Sequence, residues 1–373
     1  MKDRPRSFPL LLLKAVRVVL ERSSPCRLRM AGLLSAYVMV AALAWWCAGR
    51  GEGSETATRA PRGASSPSAM GAPAVASHPD GWVVAWAEGE HLRVRGMDRL
   101  GQARWEHLVE DPVTGMVEAA TWSGGTFVVW PSGGELHAAR LDREGHLQRL
   151  SPLATNASAP CTGASSDPSA ASFAWREGDT LRVARLSSEL RIVELDHGVD
   201  GACFVSPTPG ATRVLYRAGA HHVAAGLDGW RRERPVRLAL RAPLGFVRTA
   251  DEHVVLETGD GARDLVLRRF DPTGAPLDSR DVADTWSGGR VSLSPGSARE
   301  VLVSFGALSY DYVYAWSLAV SLRRERRRLV NAGPECPGYF DPTPTSAVRD
   351  GRSLMVTRGA HGLAIDLSDW ASP

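Results

Sequence analysis

Seven short apolar runs, each ending on one marker residue, recur along this chain at nearly constant spacing. A tandem repeat of that length admits few architectures. The runs are WVVAW ending at Trp86, TFVVW at Trp130, SFAW at Trp175, RVLY at Tyr216, HVVLE at Glu257, VLVSF at Phe305 and SLMVT at Thr357. Successive end-points lie 44, 45, 41, 41, 48 and 52 residues apart. A turn residue follows each of the first four by 12 positions, at Asp98, Asp142, Ser187 and Asp228; Asp271 follows Glu257 by 14 and Asp369 follows Thr357 by 12. A fixed period of this size marks stacked or ring-closed repeats.

Each unit divides into four strand-sized pieces. In the second they are MVEAATW, TFVVW, ELHAARL and HLQRLSPL, separated by Ser123-Gly124-Gly125, by Pro131-Ser132-Gly133-Gly134 and by Asp142-Arg143-Glu144-Gly145. No long stretch after residue 74 has a helical period, so the expected class is all-β. A four-stranded antiparallel meander repeated in tandem is the unit of a β-propeller. Seven blades fit between about residue 74 and the C-terminus. Six blades is the alternative, if the poorly matching sixth and seventh units merge. The last unit is short by its outermost strand, and residues near 65–75 are placed to supply one from the other terminus. In this detail the chain resembles the loosely conserved propellers of bacterial exported proteins, without the Gly-His and Trp-Asp pair of WD40 repeats or the paired glycines of kelch repeats. The resemblance covers about residues 74–373, concerns architecture and implies no catalytic motif.

The repeat decides the meaning of RLDREG, Arg140 to Gly145. Gly101, Gly145 and Gly274 each stand three residues after an Asp at the same point of the unit, in MDRLG, LDREG and FDPTG. Asp at the first turn position accepts backbone N–H groups and Gly at the fourth tolerates positive φ. The hexapeptide therefore reads as a hairpin between third and fourth strands. A phosphate loop would need a Gly-rich approach ending in Lys-Ser or Lys-Thr, and a calcium loop would need more carboxylates.

The N-terminal part is different. Of the formal charge of +3, residues 1–30 contribute +6, with eight Lys/Arg against two Asp/Glu. The remaining body is close to neutral, which argues against a nucleic-acid-binding surface. Residues 1–30 read as a basic cytoplasmic stub, and Met30 offers a second possible start. Residues 31–48, AGLLSAYVMVAALAWWCA, are 18 uncharged and mainly apolar residues with Arg27 and Arg29 before them. That length and flank predict a transmembrane signal anchor whose N-terminal side stays cytoplasmic. A cleaved signal peptide is the alternative, with Cys47-Ala48-Gly49 as its small-residue site. A lipid-modified Cys47 is disfavoured by bulky Trp46. Residues 49–73 are rich in Gly, Ser, Ala and Pro and read as a flexible linker. The expected location is the bacterial cell envelope with the propeller outside the cytoplasm, or secreted or periplasmic after cleavage.

Three cysteines fall beyond the apolar segment. Cys161 and Cys203 are 42 residues apart, one repeat, so corresponding positions of adjacent blades offer a disulfide and leave Cys336 over. Without close Cys or His pairs no metal site is expected. His91, His222 and His361 fall at the connections between second and third strands. In a propeller these share a face with the connections between blades. That face gathers Glu88, Glu90, His91, Glu177, Asp179, His222, Asp260, Asp311 and His361 as candidate ligand residues. The run Arg323 to Arg328 reads either as a grip for an anionic partner or as protection of an edge strand. Asn156-Ala157-Ser158 matches a glycosylation acceptor. No nucleophile elbow and no cofactor fingerprint occurs, and no cofactor is expected. The resulting expectation is a non-catalytic envelope module that binds or scaffolds a protein or glycan partner and touches the membrane through residues 31–48. A hydrolase or lyase acting on carbohydrate or peptide at the channel mouth is the alternative.

Overall fold

The computed structural model describes residues 72–373, apart from short stretches at 79, 151, 208–210, 262, 298, 310–311, 324–326, 338–343, 351, 360–361 and 370–373. No helix among the described residues is long and apolar enough to cross a membrane. The segment 31–48, with the stub before it and nearly all of the linker after it, lies outside the described residues.

The described chain forms seven antiparallel sheets in sequence order, the blades of a β-propeller. The first blade is Ala74–His78, Gly81–Glu88, His91–Asp98 and Ala103–Val109. The second is Glu118–Trp122, Gly125–Ser132, Glu135–Leu141 and Leu147–Arg149. The fifth and sixth, from Pro243 to Ala283 and from Ser292 to Pro337, repeat the same four-strand order. In the fourth blade, Val199–Val205 is innermost and the outermost position is shared by Arg231–Arg232 and Val236–Leu238. The first strands of neighbouring blades touch around the ring, and Thr345–Arg349 of the seventh blade meets Ala74–His78 of the first.

Why the runs read as continuous apolar segments rather than alternating ones is now evident. Each blade packs on both faces, so both sets of side chains of its second strand are buried. Gly81–Glu88 is buried from Gly81 to Ala87 and Gly125–Ser132 throughout. Seven clusters of buried apolar residues form the core, one for each boundary between adjacent blades. The boundary that closes the ring joins Trp82, Trp86 and Met97 of the first blade to Leu354 and Val356 of the seventh. The seven end-points of the repeat, Trp86, Trp130, Trp175, Tyr216, Glu257, Phe305 and Thr357, occupy equivalent places in the second strands and are all buried.

The ring has seven blades, not the six of the alternative. The sixth and seventh units matched poorly because the sixth blade is built from unusually long strands, of 10, 10 and 11 residues at Glu300–Ser309, Tyr312–Ser321 and Arg327–Pro337. A second expectation needs correction. Residues 74–75 do not complete the seventh blade, because Ala74–His78 pairs with Gly81–Glu88 as the innermost strand of the first. Residues 65–71 lie outside the described residues. The described seventh blade has three strands, Thr345–Arg349, Arg352–Gly359 and Gly362–Asp369.

The Asp-x-x-Gly turns have the hairpin geometry. Asp98 Oδ1 accepts from the N–H groups of Leu100 and Gln102, both at 2.8 Å. Asp271 Oδ1 accepts from Thr273 and Ala275 at 2.8 and 2.9 Å. Gly101, Gly145 and Gly274 have φ of 80°, 91° and 91°, the left-handed region where a side chain would be strained.

Candidate functional site: the central channel

The innermost strands surround a cavity of about 100 Å3 on the ring axis, lined from all seven blades. Much of its wall is small: Ala76 and Ser77, Ala119, Gly163 and Ala164, Gly245, Ser292 and Ser294. Hydroxyl groups tie neighbouring first strands together there. Ser166 Oγ accepts from Thr121 N–H at 3.0 Å, and Ser294 donates to the Ser346 carbonyl at 2.7 Å.

One ion pair crosses the channel. Arg290 Nη2 donates to Glu118 Oε1 at 2.8 Å, joining the first strand of the second blade to the segment just ahead of the sixth. The two side chains are 6% and 17% exposed, so the pair is held in a low-dielectric setting. Burial pushes the Glu118 carboxyl above the ordinary carboxylate range, with Arg290 and the Gly163 N–H drawing it back. Arg290 Nε and Nη1 are buried without a hydrogen-bond partner.

The blade beside this wall is interrupted. The innermost strand of the third blade comes in two pieces, Ala157–Pro160 and Ser165–Ser166, both paired to Ala171–Glu177. Between them the chain swings toward the fourth blade. Thr162 N–H donates to the Cys203 carbonyl at 2.9 Å, and Val205 N–H donates to the Thr162 carbonyl at 2.8 Å. Cys161 and Cys203 form a disulfide there, with Cα atoms 4.8 Å apart. This detour brings Gly163 against Glu118.

The candidate residues named from the sequence sit elsewhere. Glu88, Glu90 and His91 share one turn of the first blade, and Glu177 and Asp179 share one turn of the third. None of the described candidates lines the channel cavity. Three of the carboxylates are engaged by arginines. Glu88 pairs with Arg93, Glu177 with Arg182 at 2.5 Å, and Asp260 with Arg241 at 2.7 Å. Glu90 and Asp179 contribute backbone carbonyls, which accept from Val113 and Val199 N–H. Asp311 and His361 lie outside the described residues.

One group does form around His222, at the boundary of the fourth and fifth blades. Glu257, the buried acid that replaces an aromatic ring in the repeat, is 1% exposed and accepts from Arg241 N–H at 2.6 Å. Its Oε2 lies 2.5 Å from Arg268 Nε, but that contact is too poorly aligned to count as a hydrogen bond. Burial lowers His222, while the Leu240 backbone and the charge of Glu257 act in the opposite direction. The structure thus brings His222, Glu257 and, through Arg241, Asp260 into one neighbourhood. Among the described residues, Asp142, Glu144 and His146 have ligand atoms within 4.8 Å of one another. They lie on the exposed RLDREG hairpin, where Asp142 hydrogen-bonds His146 Nδ1 at 2.7 Å and raises it.

Sequence reasoning missed Glu118 and Arg290. The signal for Glu118 was present, as a lone acid in the apolar strand MVEAATW. For Arg290 there was none, because a loop arginine has no period to violate.

Neither a protein-family model nor a curated protein sequence matches the chain. Comparison with solved structures finds propellers. The polysaccharide lyase Uly1 is 8% identical, with 82% of this chain and 91% of that chain covered and a TM-score of 0.50. The Dos1 propeller is 9% identical, with 81% and 93% covered and a TM-score of 0.47. AofleA from Arthrobotrys oligospora, as an arginine-to-alanine triple mutant, is 12% identical, with 72% and 89% covered and a TM-score of 0.46. At these identities the likeness concerns the fold alone.

Proposed function

We propose that the protein is a non-catalytic binding or scaffolding propeller of the bacterial cell envelope, tethered through residues 31–48. On this reading it engages a protein or glycan partner with the face that carries the turns between second and third strands. The observation that carries it is the state of the carboxylates on that face. Glu88, Glu177 and Asp260 are each charge-paired with an arginine. Charge-paired side chains on regular turns suit a broad recognition surface, where the rim sets orientation and register. The test is to screen the full chain against immobilised glycans and envelope proteins, with a Glu90→Ala/His91→Ala/Asp179→Ala triple variant as comparison. Capture that the triple variant loses supports the reading. Capture that it retains in full refutes this face.

A second reading, a hydrolase or lyase acting at the channel, is favoured by Glu118 alone. A buried carboxyl held above its ordinary range is the form a general acid takes near neutral pH. Release of soluble product from a polysaccharide or peptide, abolished by Glu118→Gln, would replace the binding reading with this one. Location is tested by fractionation, where intact protein in the soluble periplasm refutes the anchor.

A further inference from the structure

A cleft of about 430 Å3 lies between the fourth and fifth blades, on the face opposite the turns between second and third strands. Its walls come from the third-to-fourth strand connection of one blade and the first-to-second strand turn of the next. That volume is in the range that holds a small organic ligand. Five arginines line it against two carboxylates, Asp228 and Glu233. Two of the arginines are committed. Arg213 is gripped by Glu233 through bonds of 3.0 and 2.7 Å, and Arg232 donates to the Glu194 carbonyl at 2.6 Å. The guanidinium groups of Arg231, Arg234 and Arg248 have no hydrogen bond or ion pair among the described residues.

The floor of the cleft is more informative than its charge. His253 is 5% exposed, neither ring nitrogen makes a well-aligned hydrogen bond, and the neighbouring Pro272 backbone carbonyl acts to raise it. Arg248 Nη1 beside it is also buried and unpartnered. Native proteins rarely leave such groups unpaired without a reason. Burial and then the Arg248 charge hold His253 down to about 4, and burial with Arg213 depresses Arg248. An anion between these side chains would oppose these effects, adding to the Pro272 backbone and the neighbouring carboxylates that already do so. Ala224, Ala225, Val236 and Pro272 supply an apolar wall alongside.

We propose that this cleft binds a small phosphate or sulfate monoester, its oxyanion held by Arg248, Arg231, Arg234 and the His253 imidazole N–H, and its organic body laid on the apolar wall. A group with three terminal oxygens can accept from three guanidinium groups and an imidazole, where a carboxylate offers only two. The site is independent of the face proposed for the partner above.

The test is calorimetric titration of the full chain with glucose 6-phosphate, glucose 6-sulfate, glucuronate and glucose, with the His253 ring signals followed by NMR. The expected result is binding of at least one of the two esters and a shift of the His253 ring signals. Arg248→Gln weakens that ester by about tenfold or more, as loss of a charged donor does. The Arg231→Gln/Arg234→Gln variant changes only exposed side chains and keeps the test valid if Arg248→Gln fails to fold; it too weakens binding. Preference between the esters identifies the oxyanion. The proposal is overturned if neither ester binds more tightly than glucose, if glucuronate binds as tightly as the esters, or if the surface variant binds like the wild type.

Discussion

The channel ion pair makes a prediction that separates its two members. Removing one partner of a buried pair costs about 3–5 kcal/mol, whereas replacing both with apolar residues of similar volume is near neutral. Here the two single losses are not equivalent. Glu118→Leu strands Arg290, which is 17% exposed, already has two buried nitrogens without partners and cannot discharge by losing a proton. Its cost falls near the top of that range. Arg290→Met strands Glu118 instead, and a carboxyl already raised by burial escapes by taking up a proton. The cost of that escape is the cost of protonation, about 1.4 kcal/mol for each pH unit above the ordinary carboxyl range. The Arg290→Met penalty therefore grows as pH rises above the ordinary carboxyl range, while the Glu118→Leu penalty does not grow. The double variant recovers to within about 1 kcal/mol of the wild type. Urea unfolding of the four proteins at several pH values measures all of this. Equal costs for the two single variants, or an Arg290→Met penalty that ignores pH, would refute the argument.

Three further outcomes follow from particular residues. Cys161→Ala/Cys203→Ala, which opens a loop of sequence separation 42, lowers stability by about 4 kcal/mol on the chain-entropy estimate, read as a lower urea midpoint. His253 is held down to about 4 from an ordinary 6.5, so the unfolded chain binds the extra proton first as pH falls through that window. Its contribution is fully present above about pH 6.5 and about 3 kcal/mol is lost by about pH 4; His253→Leu should flatten that part of the acid unfolding curve. Gly125 has φ of 143°, and a Cβ there would meet the Leu141 carbonyl oxygen at 2.0 Å, so Gly125→Ala should cost roughly 1–3 kcal/mol in thermal unfolding.

The fold was legible because a blade buries both faces of its second strand, which writes an uninterrupted apolar run once per blade. Those runs stay visible even where the last residue is Glu257 or Thr357 rather than an aromatic ring. The Asp-x-x-Gly turns were legible for the same local reason, since Asp and its Gly lie within one turn. Residues 74–75 were misassigned to the seventh blade because a strand near one terminus can serve either end of a ring, and only pairing decides. The channel pair was not legible. Glu118 and Arg290 are 172 residues apart and meet only because the ring closes. The Arg248 and His253 cleft was hidden in another way, since His253 opens an apolar run and reads as a strand end. The expected face was a set of turns with matching strand position, but equal position in a repeat places side chains around a circle rather than at one point.

The innermost place of Ala74–His78 also has a mechanical consequence. The chain ahead of Ala74 joins the ring at its axis, at the start of a strand that pairs with another strand along one edge only. Five residue pairs, from Ala74 opposite Ala85 to His78 opposite Gly81, hold that edge. A pull applied ahead of Ala74 along the axis loads those pairs together in shear, whereas a sideways pull opens them one after another, as a zip does. The rate of forced opening therefore depends on the direction from which the N-terminal segment draws, and the first blade is the one that yields.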